Sequence, residues 1–134
     1  MIAQEKDQRI IQNIIAKEAE QGRFVHKKVL IFGCTIYARD IRKALQEQGI
    51  SLSGILDNNI QKAGKTCLGV PVYLPEKYFE TRKENILVIL CSKYHREMAA
   101  QLCQMGYESS CWINILWRAY TWRLIWNKKE YRIM

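Results

Sequence analysis

No run of about eighteen uncharged apolar residues occurs in this chain. Its opening, Met1-Ile-Ala-Gln-Glu-Lys-Asp-Gln-Arg9, carries charges where an export signal needs an apolar core. The expectation is a cytoplasmic protein that neither spans a membrane nor is exported. Histidine is scarce: His26 and His95 are the two, and neither stands at a metal-ligand spacing from a cysteine, so no metal site is expected. The five cysteines, Cys34, Cys67, Cys91, Cys103 and Cys111, include no C-x-x-C pair and are odd in number. That pattern points to reduced thiols rather than a disulfide framework. Internal repeats and low-complexity tracts are absent as well.

The 134 residues amount to one ordinary domain, 1–134, with enough apolar content to bury a core and no room for a second, catalytic domain. The formal charge of +8 favours anionic partners: a nucleotide, an acidic membrane surface or nucleic acid. Nucleic acid is the weakest of these, because no recognition motif accompanies the charge.

The segment from Lys28 to Asn59 carries the most information. An apolar run ends at Gly33, an amphipathic stretch from about Ile36 to Gln48 follows, Gly49 stops it, and a second apolar run, Leu52 to Leu56, ends in Asp57. This is the first β-α-β unit of a Rossmann-like sheet. Ile86 to Cys91 is a continuous apolar run, as expected of a central strand covered on both faces. Val70 to Tyr73 reads as a short edge strand that tolerates Pro71, and Pro75 suits the first turn of a short helix. A helix follows Ser92, with Met98, Ala99, Leu102 and Met105 on its apolar stripe and Gly106 as its stop, and a last strand falls around Ser109 to Ile113.

The expected fold class is therefore α/β, a Rossmann-like three-layer domain with parallel strand order 3-2-1-4-5 over residues 27–112. An extra N-terminal helix within 1–22 turns Ile10, Ile11, Ile14, Ile15 and Ala19 to one side. A tail at 113–134 carries three of the four tryptophans and reads as a helix from Ile113, with Asn114, Arg118, Thr121 and Lys128 on a narrow polar stripe. So much apolar circumference asks for two covering surfaces. A second copy of the chain about a two-fold axis is the preferred partner, and a membrane surface is the alternative.

A dinucleotide-binding turn needs a glycine for the tight turn, a second so that pyrophosphate can approach bare backbone, and a small third residue for helix packing. Gly33-Cys-Thr-Ile-Tyr-Ala38 meets the first and third demands and fails the second at Thr35. The Thr35 hydroxyl is left either to cap the helix or to contact a phosphate directly. Asp57 lies about two dozen residues after Gly33, where a carboxylate would accept a ribose diol; as part of Asp57-Asn-Asn59 it equally suits a simple turn. Ser92 and Lys93 lie on the same strand edge, with Lys93 either neutralising a phosphate or merely solvated. Cys34, beside a helix N-terminus, is either a nucleophile with a lowered pKa or a small buried hydrophobe. The candidate ligand-binding set is Gly33, Cys34, Thr35, Ile36, Asp57, Asn58, Ser92 and Lys93, with no catalytic residue assigned.

Taken in order, Lys28-Val-Leu-Ile-Phe-Gly33, Ile55-Leu-Asp-Asn-Asn59, Gly64-Lys65, Gly69-Val-Pro-Val72, Pro75-Glu76, Ile86 to Ser92, Gln101-Leu102 and Gly106-Tyr107 resemble a known domain. It is the N-terminal nucleotide-binding domain of bacterial surface-polysaccharide enzymes, among them nucleotide-sugar epimerases and dehydratases and PglD-type sugar acyltransferases. The resemblance covers roughly residues 27 to 112 and implies binding of a nucleotide or nucleotide-sugar, with NAD(P) included, at Gly33, Thr35, Asp57 and Asn58. Such domains usually carry glycine where this chain has Thr35 and Ala38. The chain shows neither the hexapeptide repeats of the acyltransferases nor a Tyr-x-x-x-Lys pair on a plausible second Rossmann unit, so the resemblance does not imply a completed reaction. The alternative is a non-catalytic interaction module with a vestigial crevice that docks a partner subunit or membrane enzyme through its C-terminal helix.

Overall fold

Three five-residue apolar runs form the centre of the sheet: β1 (Lys28–Phe32), β2 (Leu52–Leu56) and β5 (Ile86–Leu90). β1 lies between the other two and pairs with both in parallel, Leu30 facing Gly54 on one side and Val88 on the other. All five residues of β5 are buried, as are the last four of β1, because helices cover both faces. The computed structural model describes residues 2–81 and 85–118.

The period-2 alternation of strand side chains divides the interior in two. Val29, Ile31, Leu87 and Ile89 face α1 (Ile2–Glu20) and α2 (Ala38–Glu47), meeting Ile11, Ile15, Ile41 and Leu45. Leu30, Phe32, Val88 and Leu90 face the other way, toward Tyr78 of α3 (Pro75–Thr81) and Leu102 of α4 (His95–Gln104). Each of these fully buried aliphatic or aromatic side chains contributes about 1.5–3 kcal/mol through loss of water contact. The N-terminal helix joins this packing through Ile11 and Ile15, and its Gln12 amide donates to Glu47 of α2.

The sheet has six strands in the order β3-β4-β2-β1-β5-β6, where β3 is Thr66–Cys67, β4 is Val70–Tyr73 and β6 is Trp112–Asn114. The expected parallel order 3-2-1-4-5 is present as β4-β2-β1-β5-β6. The difference is an additional antiparallel strand beyond it. Val70–Tyr73 is therefore not the edge: β3 covers it, pairing Thr66 with Pro71 and Cys67 with Val70. Leu68 and Gly69 turn the hairpin with φ of 54° and 76°, the two positive φ values that a tight two-residue hairpin requires.

Three further boundaries differ from expectation. Residues 34–37 form a turn, so α2 begins at Ala38 rather than Ile36. Ser109–Cys111 is a 3-10 turn and only Trp112–Asn114 is strand. Ile113 and Asn114 thus belong to the sheet, and helix begins at 115. The Asn114 carboxamide oxygen accepts the Trp117 amide to cap that helix, while its NH2 lies 2.8 Å from His95 Nδ1. Ile113 and Ile115 are buried in the core and Trp117 is half-exposed. The rest of the tail, with Trp122, Trp126 and the faces expected to take a second copy or a membrane, lies outside the described residues. Among the described residues no helix is long and apolar enough to cross a membrane.

Candidate functional site

Strand order reverses at β1, since β2 follows to one side and β5 to the other. The turns leaving β1, β2 and β5 consequently splay apart, and a crevice of about 820 Å³ opens between them. All eight residues expected from the sequence, Gly33, Cys34, Thr35, Ile36, Asp57, Asn58, Ser92 and Lys93, line it. Lining it as well, and not anticipated, are Lys62, Tyr94, Glu97 and Met98.

Gly33 leaves β1 at φ +95°, a conformation that other residues rarely adopt. A Cβ there would stand 3.3 Å from Met98 Cε and from Thr35 Cγ2. The Thr35 hydroxyl is 3.2 Å from the Cys91 carbonyl, to which it donates, and it accepts the Tyr37 amide at 3.3 Å. It thereby secures the approach to α2 and fastens the β1 turn to the end of β5. Its branched side chain remains where close contact with pyrophosphate would require none. Ile36 is largely exposed at the mouth.

Asp57 is the best-connected side chain in the crevice. One carboxylate oxygen accepts the Asn59 amide at 2.8 Å, closing an Asx turn; the other accepts the Cys34 amide at 3.3 Å and lies 3.8 Å from Lys62 Nζ. Both readings of Asp57 keep support, because it forms the turn and also borders the cavity, 13% exposed. A second turn, with Asn59 accepting the Gln61 amide and the Lys62 amide, folds Lys62 back over Asp57. The succession of Asx residues at 57 and 59 was the signal for that reversal.

Asn58 exchanges two hydrogen bonds of 2.9 Å with Gln101 of α4, linking the β2 turn to the opposite helix. Ser92 is buried and its hydroxyl accepts the Tyr94 amide at 3.1 Å, forming the turn into α4 rather than capping the helix itself. Lys93 Nζ stands 5.1 Å from the centre of the Tyr94 ring. Two lysines therefore reach a crevice that also holds two carboxylates, Asp57 and Glu97, a mixed set that offers charge for an anionic group and acceptors for a hydroxyl-bearing one. Cys91, at the floor, has its thiol pKa pushed up to about 12, first by burial and then by the charge of Asp40, so it stays protonated.

Cys34 is neither a nucleophile nor a small buried hydrophobe. It is joined by a disulfide to Cys67, the last residue of β3, with the two Cα atoms 6.8 Å apart. The expectation of reduced thiols is corrected for this pair and stands for Cys91, Cys103 and Cys111, which are free. The pairing escaped sequence reading because it depends on a hairpin whose first strand is two residues long. Among the described residues no group of three or more His, Cys, Asp and Glu side chains is placed to hold a metal ion.

The fold matches solved Rossmann-type structures. Superposition on UDP-D-quinovosamine 4-dehydrogenase from Vibrio fischeri gives a TM-score of 0.51 at 21% identity, over 63% of this chain and 75% of that one. RSP in complex with beta-NAD+ and operator DNA gives 0.55 at 17%, over 80% of this chain and 58% of that one. RSP crystallised as a Rex-family repressor gives 0.52 at 18%, over 84% and 65%. The chain thus corresponds to less than two thirds of the repressor. These likenesses establish a Rossmann-like α/β fold. No protein-family model matches the chain, and no curated protein matches it.

Proposed function

We propose that the crevice binds a nucleotide or nucleotide-sugar, and that it takes a mononucleotide-sized ligand in preference to a dinucleotide. The observation that carries this reading is the convergence of Gly33, Thr35, Asp57, Ser92, Lys62 and Lys93 on one cavity at the point of strand reversal. The lysines supply charge for phosphate, and Asp57 borders the space a ribose would fill. Thr35 and the engagement of the Cys34 amide by Asp57 both disfavour the close backbone contact that a pyrophosphate needs. Structural neighbours include a UDP-sugar dehydrogenase and a repressor solved with beta-NAD+, which accords with a nucleotide ligand. The resemblance to surface-polysaccharide enzymes supports a ligand from bacterial glycan synthesis, with any catalytic partner supplied by another chain.

Titration calorimetry with UDP, UDP-sugars, NAD and NADP tests the reading. Binding of UDP or a UDP-sugar, with NAD weaker, is expected. Low-micromolar NAD affinity would overturn the steric argument, and silence across the panel would overturn ligand binding altogether.

A second reading rests on a specific observation: both oxygens of Asp57 already accept backbone amides, and the glycine turn is bridged to the neighbouring hairpin. In that case the crevice is vestigial and the chain is an interaction module that docks a partner subunit or membrane enzyme through its C-terminal helix. The calorimetric panel separates the two readings, the module requiring silence across it, and light scattering on the full chain and on a version truncated after Arg118 tests separately whether the tail carries a dimer.

A further inference from the structure

Cys34 occupies an unusual place: it lines the nucleotide crevice on one side and a second cavity of about 620 Å³ on the other. Cys67 lines only the second cavity, together with Asp7, Gln8, Arg39 and Leu68. The disulfide therefore stands in the wall between two spaces, and both of its cysteines are partly exposed. Both cysteines line the second cavity, which is the side from which a thiol would approach.

Besides this bond the hairpin is closed by two backbone hydrogen bonds, Val72 N–H to the Lys65 carbonyl at 2.9 Å and Gly64 N–H to the Val72 carbonyl at 3.0 Å, both on the side away from its turn. β3 contributes two residues, and one of its two cross-strand partners is Pro71, which has no N–H to donate. Its turn places Leu68, a residue with a Cβ, at φ 54°. β4 in turn pairs with β2 at two positions, Ile55 with Val72 and Leu56 with Tyr73. The same β4 reaches the crevice directly, because the Tyr73 carbonyl accepts the Asp57 amide at 2.9 Å. Asp57 is thus fixed from two directions, by Cys34 through its carboxylate and by Tyr73 through its backbone, and the disulfide ties those two supports together.

We propose that the Cys34–Cys67 disulfide is a reducible latch, opened by a dithiol from the second cavity, whose opening loosens the β3–β4 hairpin and weakens ligand binding in the crevice. The ligand half of this proposal rests on the nucleotide reading above. Chemically, a thiolate of the dithiol attacks one cysteine sulfur, the protein S–S bond breaks, and the released cysteine thiolate takes up a proton. The second thiol of the reductant then loses its proton and displaces the protein from the mixed disulfide. Two electrons and two protons have passed to the protein, which ends with two thiols while the reductant ends as a disulfide. Because binding and reduction are linked, a ligand that prefers the latched form must by the same factor resist reduction of the bond.

The experiment compares the full chain, air-oxidised and after dithiothreitol, by three measurements. Thiol titration of the denatured protein should find the three cysteines that are free in the structure before reduction and all five afterwards. Five reactive thiols in the oxidised sample would overturn the latch. Amide hydrogen exchange across residues 66–73 should accelerate by about tenfold on reduction, while that of β5 holds; an unchanged hairpin would also overturn it. UDP affinity should fall by about tenfold on reduction, and saturating UDP should shift the thiol–disulfide equilibrium toward the oxidised chain by the same factor. Cys67→Ser, which leaves the crevice lining intact, should bind UDP like the reduced chain under either condition, and equal UDP affinity of the oxidised and reduced unmutated chain would overturn the coupling. Absence of UDP binding in both states instead defeats the nucleotide reading, and the thiol and exchange measurements then decide the latch by themselves.

Discussion

Two shielded carboxylates, Glu18 at the end of α1 and Asp57 at the end of β2, occupy regions built on different principles. The Glu18 side chain is 3% exposed and engages Arg23 through one oxygen and Arg118 through the other. Arg23 also donates to the Ser110 carbonyl at 3.0 Å, so this one cluster ties the end of the first helix to the 3-10 turn and to the start of the last helix. Asp57 is held by backbone amides and a lysine 3.8 Å away, beside an open cavity. Guanidinium pairs satisfy a carboxylate where the chain needs a fixed joint, because their forked geometry matches both oxygens. Amides and a mobile lysine hold a carboxylate in place while leaving its surroundings free for something else.

The contrast breaks most sharply at Glu18. Glu18→Ala should lower the unfolding free energy by about 2 kcal/mol, since it removes two ion pairs at once while Arg23 and Arg118, both partly exposed, are left to water. Urea denaturation gives the number, and UDP affinity of the remaining folded protein should not change. A loss below about 0.5 kcal/mol would make the cluster an ordinary surface ion pair.

Asp57→Ala should show the reverse balance. Affinity for a ribose-containing ligand is expected to fall by about 1–3 kcal/mol, the loss typical of hydrogen bonds to a charged group, with about 1 kcal/mol of stability. Calorimetry and urea melts on the same variant measure both, and unchanged affinity would reduce Asp57 to a turn former.

The crevice floor offers a third comparison through Cys91. Its thiol pKa is raised from 9.0 to about 12 in the folded chain, so above pH 9 the unfolded thiol ionises while the folded one does not. The unfolded state then binds fewer protons, and stability falls as pH rises, by about 1.4 kcal/mol at pH 10 from this group. Cys91→Ala should remove that part of the decline between pH 8 and pH 10; an identical slope in the variant would mean that the floor is wetter than its burial implies.

The smallest effect is expected at Thr35. Replacing it with glycine frees the approach to the backbone, and NAD affinity should improve by about threefold, less than 1 kcal/mol. No improvement would move the obstacle from the Thr35 side chain to the Cys34 amide, which Asp57 already occupies.

What could be read in advance follows the length scale of each feature. β2 was legible to the residue, and so were the bounds of β1, because long apolar runs punctuated by Gly33, Gly49 and Asp57 leave few alternatives. The crevice followed from them, since strand-end turns in such a sheet must converge. The β3–β4 hairpin was not legible: two residues are too few to show alternation, and its turn is Leu68-Gly69 instead of the usual Asn-Gly. With it went the Cys34–Cys67 bond. Glu18 was hidden for another reason, as a single charge on an amphipathic helix whose partners lie at 23 and 118 gives no local pattern.

The pairing of β1 has a consequence for synthesis. Lys28 through Phe32 leave the ribosome before either of their neighbours in the sheet, and one of their flanks is completed only when Ile86 through Leu90 appear. At roughly 5–20 residues per second, about 3 to 12 s separate the emergence of the two strands, and throughout that interval a ribbon of Val29, Leu30, Ile31 and Phe32 lacks its second neighbour. The nascent chain is therefore most vulnerable to misassociation after β2 has docked and before β5 arrives, the period in which a ribosome-bound chaperone would have most to do.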